Sequence, residues 1–436
     1  MGLWIDKREI TRLAVFGYGL TGRAVVAFAV SQGISVCVSD AGRLDDDDRS
    51  DLAARGIPVE ERGHSSALLE EIDAVVLSPG VVPSHPVLAE AARRGLAVLS
   101  EIDLVTLHAP ERTMIAVTGT NGKGSTVRLI EAMLAAAGVK AHVGGNIGTP
   151  AISLVNTPPD EPLVLEVSSF QLEQSVAFRP DVAVLLNLTP DHLDRHGTMA
   201  GYAAAKSRLF RLQGPDDVAI FPAALKNVFA AGRARRVFYD GMDAGRTEHR
   251  LGLPPHVQSN LAAAAAACRA LVPGFEVGSV SDKAIRAALH TPHRLDPVGS
   301  VSGVRIIDDS KSTNAASTVA AVRATEGPIV LLVGGRWKQG GYQALAGELN
   351  AIALRGMVLY GEARDALRGV FRAVAAPVIE APDLGSAVAA GLDLARAGDT
   401  LLFSPACSSY DAFANCLARG DAFVALIRRQ SGFLRP

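Results

Sequence analysis

Residues 114 to 126 read Met-Ile-Ala-Val-Thr-Gly-Thr-Asn-Gly-Lys-Gly-Ser-Thr, an apolar β-branched run that passes into glycines, a lysine and then a helical pattern. Gly119, Gly122 and Gly124, with Thr120 and Asn121 between them, let successive backbone N–H groups point into one concavity. Lys123 adds a point charge, and Ser125 and Thr126 open a helix whose N-terminus carries positive potential. That chemistry suits the phosphates of a nucleoside triphosphate. A glycine turn that merely joined strand to helix would have no use for the lysine. The loop is shorter than GxxxxGK[ST], and Gly124 stands where a hydroxyl residue usually follows the lysine, which leaves Ser125 as the candidate for a metal-facing hydroxyl.

Phosphoryl transfer also needs a hard cation and a positioned acceptor. Glu166 closes an apolar run in LEVSSFQLE, a common place for a Mg²⁺ ligand. His192 follows the run VAVLLNLT, with Asp191 and Asp194 beside it, and Lys206 lies on the helical pattern GYAAAKSRLF. Singly these read as a helix cap, a satisfied loop histidine and a surface lysine; in this order after the loop they form a specific set. A second glycine motif, Gly17-Tyr18-Gly19-Leu20-Thr21-Gly22, follows the strand pattern LAVF, and Asp40 ends the next strand pattern. Alone it is a dinucleotide fingerprint and favours an NAD-dependent oxidoreductase. The same geometry cradles any diphosphate, and a dehydrogenase has no use for the triphosphate loop and metal set downstream.

The elements that must position these groups alternate short β-branched runs with longer helical stretches, the pattern of parallel sheets covered by helices. Three such sets are visible, and 436 residues at roughly 150 per domain give about three domains. We place them at residues 1–110, 111–292 and 293–436. An alanine-rich helix is expected from Asn260, a loop at the acidic run Asp45 to Asp48 (a solvated surface before a metal site), and a hinge at TPHRLDPV. Forty-three Lys and Arg against 45 Asp and Glu leave a net charge of -2, which argues against binding nucleic acid through phosphate neutralisation. Four cysteines without CxxC spacing read as buried thiols of a reducing compartment. Asp6 and Glu9 interrupt any signal-peptide core, and no apolar run is long enough to span a membrane, so a soluble cytoplasmic protein is expected.

With these motifs in this order, the chain resembles the Mur ligase superfamily, the ATP-dependent amino-acid ligases of peptidoglycan assembly, with folylpolyglutamate synthetase as a relative. The likeness covers nearly the whole chain. GTNGKGST is similar to the family's ATP loop, GGNIGTP (Gly144 to Pro150) to its muramoyl-contacting turn, and EVSSFQLE and TPDHLDRH to its metal-binding segments. PHR at Arg294, DDSKSTN ending at Asn314 and SPACSSYDAF from Ser404 to Phe413 are similar to the C-terminal signatures of the branch that adds glutamate to UDP-N-acetylmuramoyl-L-alanine.

The resemblance implies an α/β fold of three domains: a Rossmann-like N-terminal domain for the UDP substrate, a central P-loop ATPase-type domain, and a C-terminal Rossmann-like domain for the amino acid. It implies that ATP phosphorylates the acceptor carboxylate and that the glutamate amine attacks the acyl phosphate. Lys123 would hold the γ-phosphate, Glu166 and His192 would hold Mg²⁺, and Lys206 would be carbamylated and act as a further metal ligand. Leu20, Thr21, Asp40, Ser78, Pro79 and Gly80 would contact the UDP moiety, and Asn146 and His192 the rest of that substrate. Arg294 and Asp309 would reach the nucleotide, the latter through its ribose, while Lys311, Thr313, Lys338 and Ser409 would hold glutamate. Where the family commonly reads His-Asn before the alanine-rich helix, this chain has His256-Val257, with Asn260 one turn on. A monomer using D-glutamate is expected. L-Glutamate needs the same donors in mirrored placement, a folate polyglutamylating enzyme is disfavoured by the UDP-type first domain, and a binding homologue without turnover is disfavoured by the intact charged set.

Overall fold

The computed structural model describes residues 3–5, 7–82, 84–226, 232–240, 251–290, 292–337 and 340–435. After a short hairpin of Leu3–Ile5 and Arg8–Ile10, a five-stranded sheet runs in the order Val59–Glu61, Ser35–Asp40, Arg12–Phe16, Ala74–Leu77, Ala97–Ser100, parallel throughout. Its order reverses between Arg12–Phe16 and Ala74–Leu77. At such a switch point the strand ends leave a crevice for a ligand, and the glycine motif and Ser78 follow directly on those two strands.

A second, six-stranded parallel sheet runs Arg235–Tyr239, Val218–Pro222, Val182–Leu185, Met114–Thr118, Leu163–Glu166, His142–Gly145. Every residue of Met114–Thr118 and Leu163–Glu166 is buried, as expected for parallel strands covered on both faces. The phosphate loop and Glu166 therefore leave neighbouring strands at the same end of the sheet. A third sheet has seven strands: Val378–Ala381, Leu354–Tyr360, Ile329–Gly334, Thr400–Ala406, Val304–Asp308, Asp296–Val301 and Phe433–Leu434. Its last two pairings are antiparallel.

The chain divides into two compact units, residues 1–187 with 200–288, and residues 188–199 with 289–436. The first two sheets share one unit because helix Glu101–His108 buries two carboxylates in a seam between them. The Glu101 carboxylate accepts the N–H of Ile152 at 2.7 Å and an amide proton from Gln171 at 3.4 Å. Asp103 accepts from Ser175 Oγ at 2.7 Å and from the backbone N–H groups of Ala177 and Phe178 at 2.9 Å each. Burial pushes the Glu101 carboxyl up to about 7.

Several local expectations change. The acidic run is not a loop: Asp45 is the N-cap of helix Asp46–Ala54, and its side chain accepts the Asp48 N–H at 2.8 Å. Acids in a first turn complement the helix dipole, which explains the clustering without a metal. The alanine-rich helix spans Pro255–Leu271 and starts five residues before Asn260, because Pro255 is preorganised for a first helical turn. The second half of the expected hinge is strand Asp296–Val301, with the left-handed residues His293 and Leu295 just before it. Cys37, Cys268 and Cys407 are buried thiols, but Cys416, at the start of the last helix, is partly exposed. Among the described residues no helix is long and apolar enough to cross a membrane.

Candidate active site

The phosphate loop is held in shape by contacts from three later segments. Gly122 caps helix Lys123–Ala136 in a left-handed conformation, φ 85°, and a Cβ there would lie 2.9 Å from Cγ of Asn260. Asn260 is 7% exposed, so its side chain lies against the loop backbone, one turn into a helix that packs on Lys123–Ala136. Asn187 holds the other side. Its Oδ1 accepts the N–H groups of Thr120 at 3.1 Å and Asn121 at 2.9 Å, and its Nδ2 donates to the Asn121 carbonyl at 2.9 Å. Sequence reasoning missed Asn187, whose only local signal is its place after the buried strand Val182–Leu185. Thr126 donates to the Gly122 carbonyl at 2.9 Å, while Ser125 next to it is partly exposed.

Two lysines converge on one carbonyl oxygen. Lys123 Nζ donates to Gly119 O and Thr120 O, both at 3.0 Å, and Lys206 Nζ donates to the same Gly119 O at 2.9 Å. Lys206 is 1% exposed, lies over the Tyr202 ring and comes within 3.4 Å of Thr118 Oγ1. It is an interior group, not the surface lysine its helix pattern allows.

Glu166, 7% exposed, is oriented by the GGNIGTP turn: Asn146 Nδ2 donates to Glu166 Oε1 at 2.8 Å, and the Asn146 N–H donates to the Glu166 carbonyl at 2.8 Å. Its Oε2 faces the loop, 3.2 Å from where a Cβ on Gly124 would stand. Here Gly124 has a purpose that its departure from the usual motif hides, since a side chain would crowd the carboxylate. Among the described residues no group of three His, Cys, Asp or Glu side chains could bind a metal alone. Mg²⁺ is normally held by one or two carboxylates plus substrate phosphates, and one hard oxygen ligand aimed at a phosphate loop fits that arrangement.

At the switch point of the first sheet, Gly17 has φ 88° and donates its N–H to Ser39 O at 2.8 Å, while Ser78 Oγ donates to the Gly17 carbonyl at 2.7 Å. A Cβ on Gly22 would strike that carbonyl, so helix Leu20–Ser31 approaches as closely as the fold allows. Asp40 braces the loop, accepting the N–H of Tyr18 and of Gly42 at 2.7 Å each. Leu20, 67% exposed, and Thr21 open helix Leu20–Ser31, while Pro79 and Gly80 lie on the turn after strand Ala74–Leu77. The His64 ring, not anticipated from sequence, stacks on Phe16 and bonds Ser39 Oγ at 2.7 Å.

The remaining candidates lie in the other compact unit. His192 adopts a left-handed conformation, φ 54°, as N-cap of the short helix Leu193–His196, with its Nε2 3.5 Å from Asp191 Oδ2. Asn314 Nδ2 donates to Asp191 at 3.0 Å, while its Oδ1 caps helix Ala315–Ala324 by accepting the Ser317 N–H. Asp309 is fully buried. It accepts from Ser404 Oγ at 2.7 Å and from the Leu295 N–H at 3.2 Å, and lies 3.9 Å from the Arg294 guanidinium; burial holds its carboxyl above the usual range. Asp308 beside it pairs with His293 Nδ1 at 2.7 Å and is pushed by burial to about 6. Lys311 and Thr313 are partly exposed on the loop that follows, and Ser409, 3% exposed, ends the Thr400–Ala406 strand loop. Lys338 lies outside the described residues.

The fold and these sites define a ligase built from three nucleotide-type α/β domains, and known proteins share the plan. Models of the Mur ligase MurD-like N-terminal domain, the Mur ligase middle domain and the Mur ligase glutamate ligase domain match residues 11–100, 117–250 and 293–407. A Pelotomaculum thermopropionicum protein named UDP-N-acetylmuramoylalanine--D-glutamate ligase is 38% identical over 96% of this chain and 98% of its own length. One of the same name from Syntrophus aciditrophicus is 37% identical, covering 96% and 97%. Among solved structures, UDP-N-acetylmuramate-alanine ligase MurC from Thermotoga maritima matches with a TM-score of 0.56 at 17% identity, over 95% of this chain and 98% of that one. MurF ligase from Thermotoga maritima in complex with ADP matches at 0.56 and 16%, over 90% and 94%. The last two share the fold. The chain belongs to the Mur ligase family.

Proposed function

We propose that this chain joins D-glutamate to UDP-N-acetylmuramoyl-L-alanine with conversion of ATP to ADP and phosphate. The step belongs to cytoplasmic peptidoglycan precursor synthesis and thereby serves cell-wall growth, shape and division. The observation that carries the chemistry is Glu166, braced by Asn146 of the GGNIGTP turn and aimed at the phosphate loop. The names of the relatives at 38% and 37% identity support the substrates.

In this reading the loop N–H groups and Lys123 bind the triphosphate and stabilise charge on the transferred phosphoryl group. The substrate carboxylate attacks the γ-phosphorus, the bond to ADP breaks, and an acyl phosphate forms. The amine of glutamate adds to the acyl carbon, loses a proton, and phosphate leaves as the amide forms. Glu166, His192 and Ser125 would hold Mg²⁺, which would neutralise phosphate charge. Lys311, Thr313, Lys338 and Ser409 supply the donors that a dicarboxylic amino acid needs. Leu20, Thr21, Asp40, Ser78, Pro79, Gly80 and Asn146 receive the UDP substrate, and Arg294 and Asp309 the nucleotide. The enzyme acts as a monomer with domain boundaries at 110/111 and 292/293.

Lys206 is carbamylated in this scheme. As an ammonium it shares the Gly119 carbonyl with Lys123, which sets two like charges side by side in a buried place. Addition of its neutral amine to CO₂, with loss of one proton, replaces a positive by a negative charge and adds two oxygen ligands. Intact-mass measurement in CO₂-equilibrated buffer should show one added CO₂ that Lys206→Ala loses. Metal affinity and activity that survive both CO₂ removal and Lys206→Ala refute the modification.

The deciding assay follows ADP release with UDP-N-acetylmuramoyl-L-alanine and each glutamate enantiomer. Release with D-glutamate alone is expected, release with L-glutamate alone moves the chain to another specificity, and no release with either sinks the proposal. Tight NAD(H) binding without ADP release would point to an oxidoreductase instead.

A further inference from the structure

Arg419 is fully buried, the largest side chain of the fully enclosed set, yet among the described residues no carboxylate pairs with it. It stands in the first turn of helix Cys416–Arg428 and spends its fork on two loops. Nε donates to Ser310 Oγ at 3.1 Å, Nη2 to Ser310 O at 2.8 Å, and Nη1 to Cys407 O at 3.0 Å. The Ser310 hydroxyl in turn donates a hydrogen bond to the Cys416 carbonyl at 2.8 Å, which ties the loop to the same helix. Enclosing a guanidinium among neutral acceptors is costly. A lysine could reach such carbonyls one at a time, but only a planar fork fixes two of them in register.

Lys311 follows Ser310, and Ser409 lies two residues after Cys407. We propose that Arg419 is a positioning residue that sets the spacing of the Lys311 and Ser409 loops, and so the fit of the incoming amino acid. This rests on the assignment of Lys311 and Ser409 to glutamate. Nucleotide binding should be spared, because Asp309 is held separately by Ser404 and Leu295, and its own N–H donates to Phe403 O at 2.7 Å.

The test compares wild type, Arg419→Lys and Arg419→Met in ADP release, with KM measured for each of the three substrates. Loss of the fork should raise the KM for glutamate roughly tenfold or more in both variants, with KM for ATP and for UDP-N-acetylmuramoyl-L-alanine within about twofold of wild type. A wild-type glutamate KM in Arg419→Lys, or an equal rise in all three constants, overturns the positioning role. If neither variant folds, Ser310→Ala, which removes one acceptor and keeps the arginine, carries the same test with a smaller rise in glutamate KM alone. A wild-type enzyme that ligates no glutamate would instead refute the functional reading itself.

Discussion

Replacing Gly122 with alanine should damage the ATP loop in two separable ways. At φ 85° a side chain is strained, by about 1–2 kcal/mol. The new methyl would also stand 2.8 Å from Nδ2 and 2.9 Å from Cγ of Asn260, inside any ordinary carbon contact. Overpacking of that kind costs about 1–3 kcal/mol. The two together, about 2–5 kcal/mol, predict that Gly122→Ala raises the KM for ATP by roughly one and a half to three and a half orders of magnitude. Asn260→Ala removes the obstructing amide but leaves the backbone strain. Gly122→Ala in an Asn260→Ala background should therefore cost about 1–3 kcal/mol less than in the wild type. The cycle subtracts whatever Asn260 contributes to nucleotide binding by itself. ATP-dependent ADP release at saturating levels of the other substrates reads the cycle, and thermal unfolding of the four proteins separates loop damage from loss of fold. Effects that add to within about 0.5 kcal/mol would refute the contact between Asn260 and the loop.

Asn187→Ala removes both acceptor bonds to the loop N–H groups and should raise the ATP KM about tenfold with little change in Tm; an unchanged KM would mean the loop holds itself. Glu166→Gln keeps the shape that Asn146 recognises but loses a charge, so kcat should fall roughly 10- to 100-fold and the Mg²⁺ needed for half-maximal rate should rise. Mg²⁺ titration of both enzymes checks this, and identical curves would remove Glu166 from the metal. Glu101, pushed to about 7 from 4.5, binds its proton more tightly in the folded protein than in the unfolded chain. It favours folding fully below pH 4.5 and loses that contribution as pH rises to 7, a span of about 3 kcal/mol as an order of magnitude. Glu101→Gln should flatten the pH dependence of unfolding free energy in that window; an unaltered slope would show that the carboxyl does not titrate there.

What could be read from the sequence is what neighbouring residues decide together. The phosphate loop, Glu166 at a strand end and the glycine motif before Leu20 are each a few residues whose backbone demands and chemistry coincide. Groups that act across the chain left no such trace. Asn187 reaches Asn121 across 66 residues, and Arg419 reaches Ser310 across 109. Nothing near either residue says where it points. The acidic run failed for the opposite reason: four aspartates look like solvated loop unless the first is taken as a cap. Edge strands such as Val378–Ala381, which is buried only at its last residue, carry no buried apolar run to stand out, and their pairing comes from the sheet that receives them. The single compact unit behind the first two sheets was likewise hidden, since Glu101 and Asp103 look like ordinary helix-start acids until their partners at Ile152 and Ser175 are known.

Helix Pro255–Leu271 looks in composition like filler, with alanines filling most of its buried side. Their thinness sets how near its axis can come to Lys123–Ala136, and hence how deep Asn260 reaches into the ATP loop. The helix works as a gauge. A library of conservative enlargements, Ala to Val or Leu, along that buried side should affect nucleotide affinity before it affects folding. Tolerance to mutation would then be lowest in the stretch of sequence with the least apparent information.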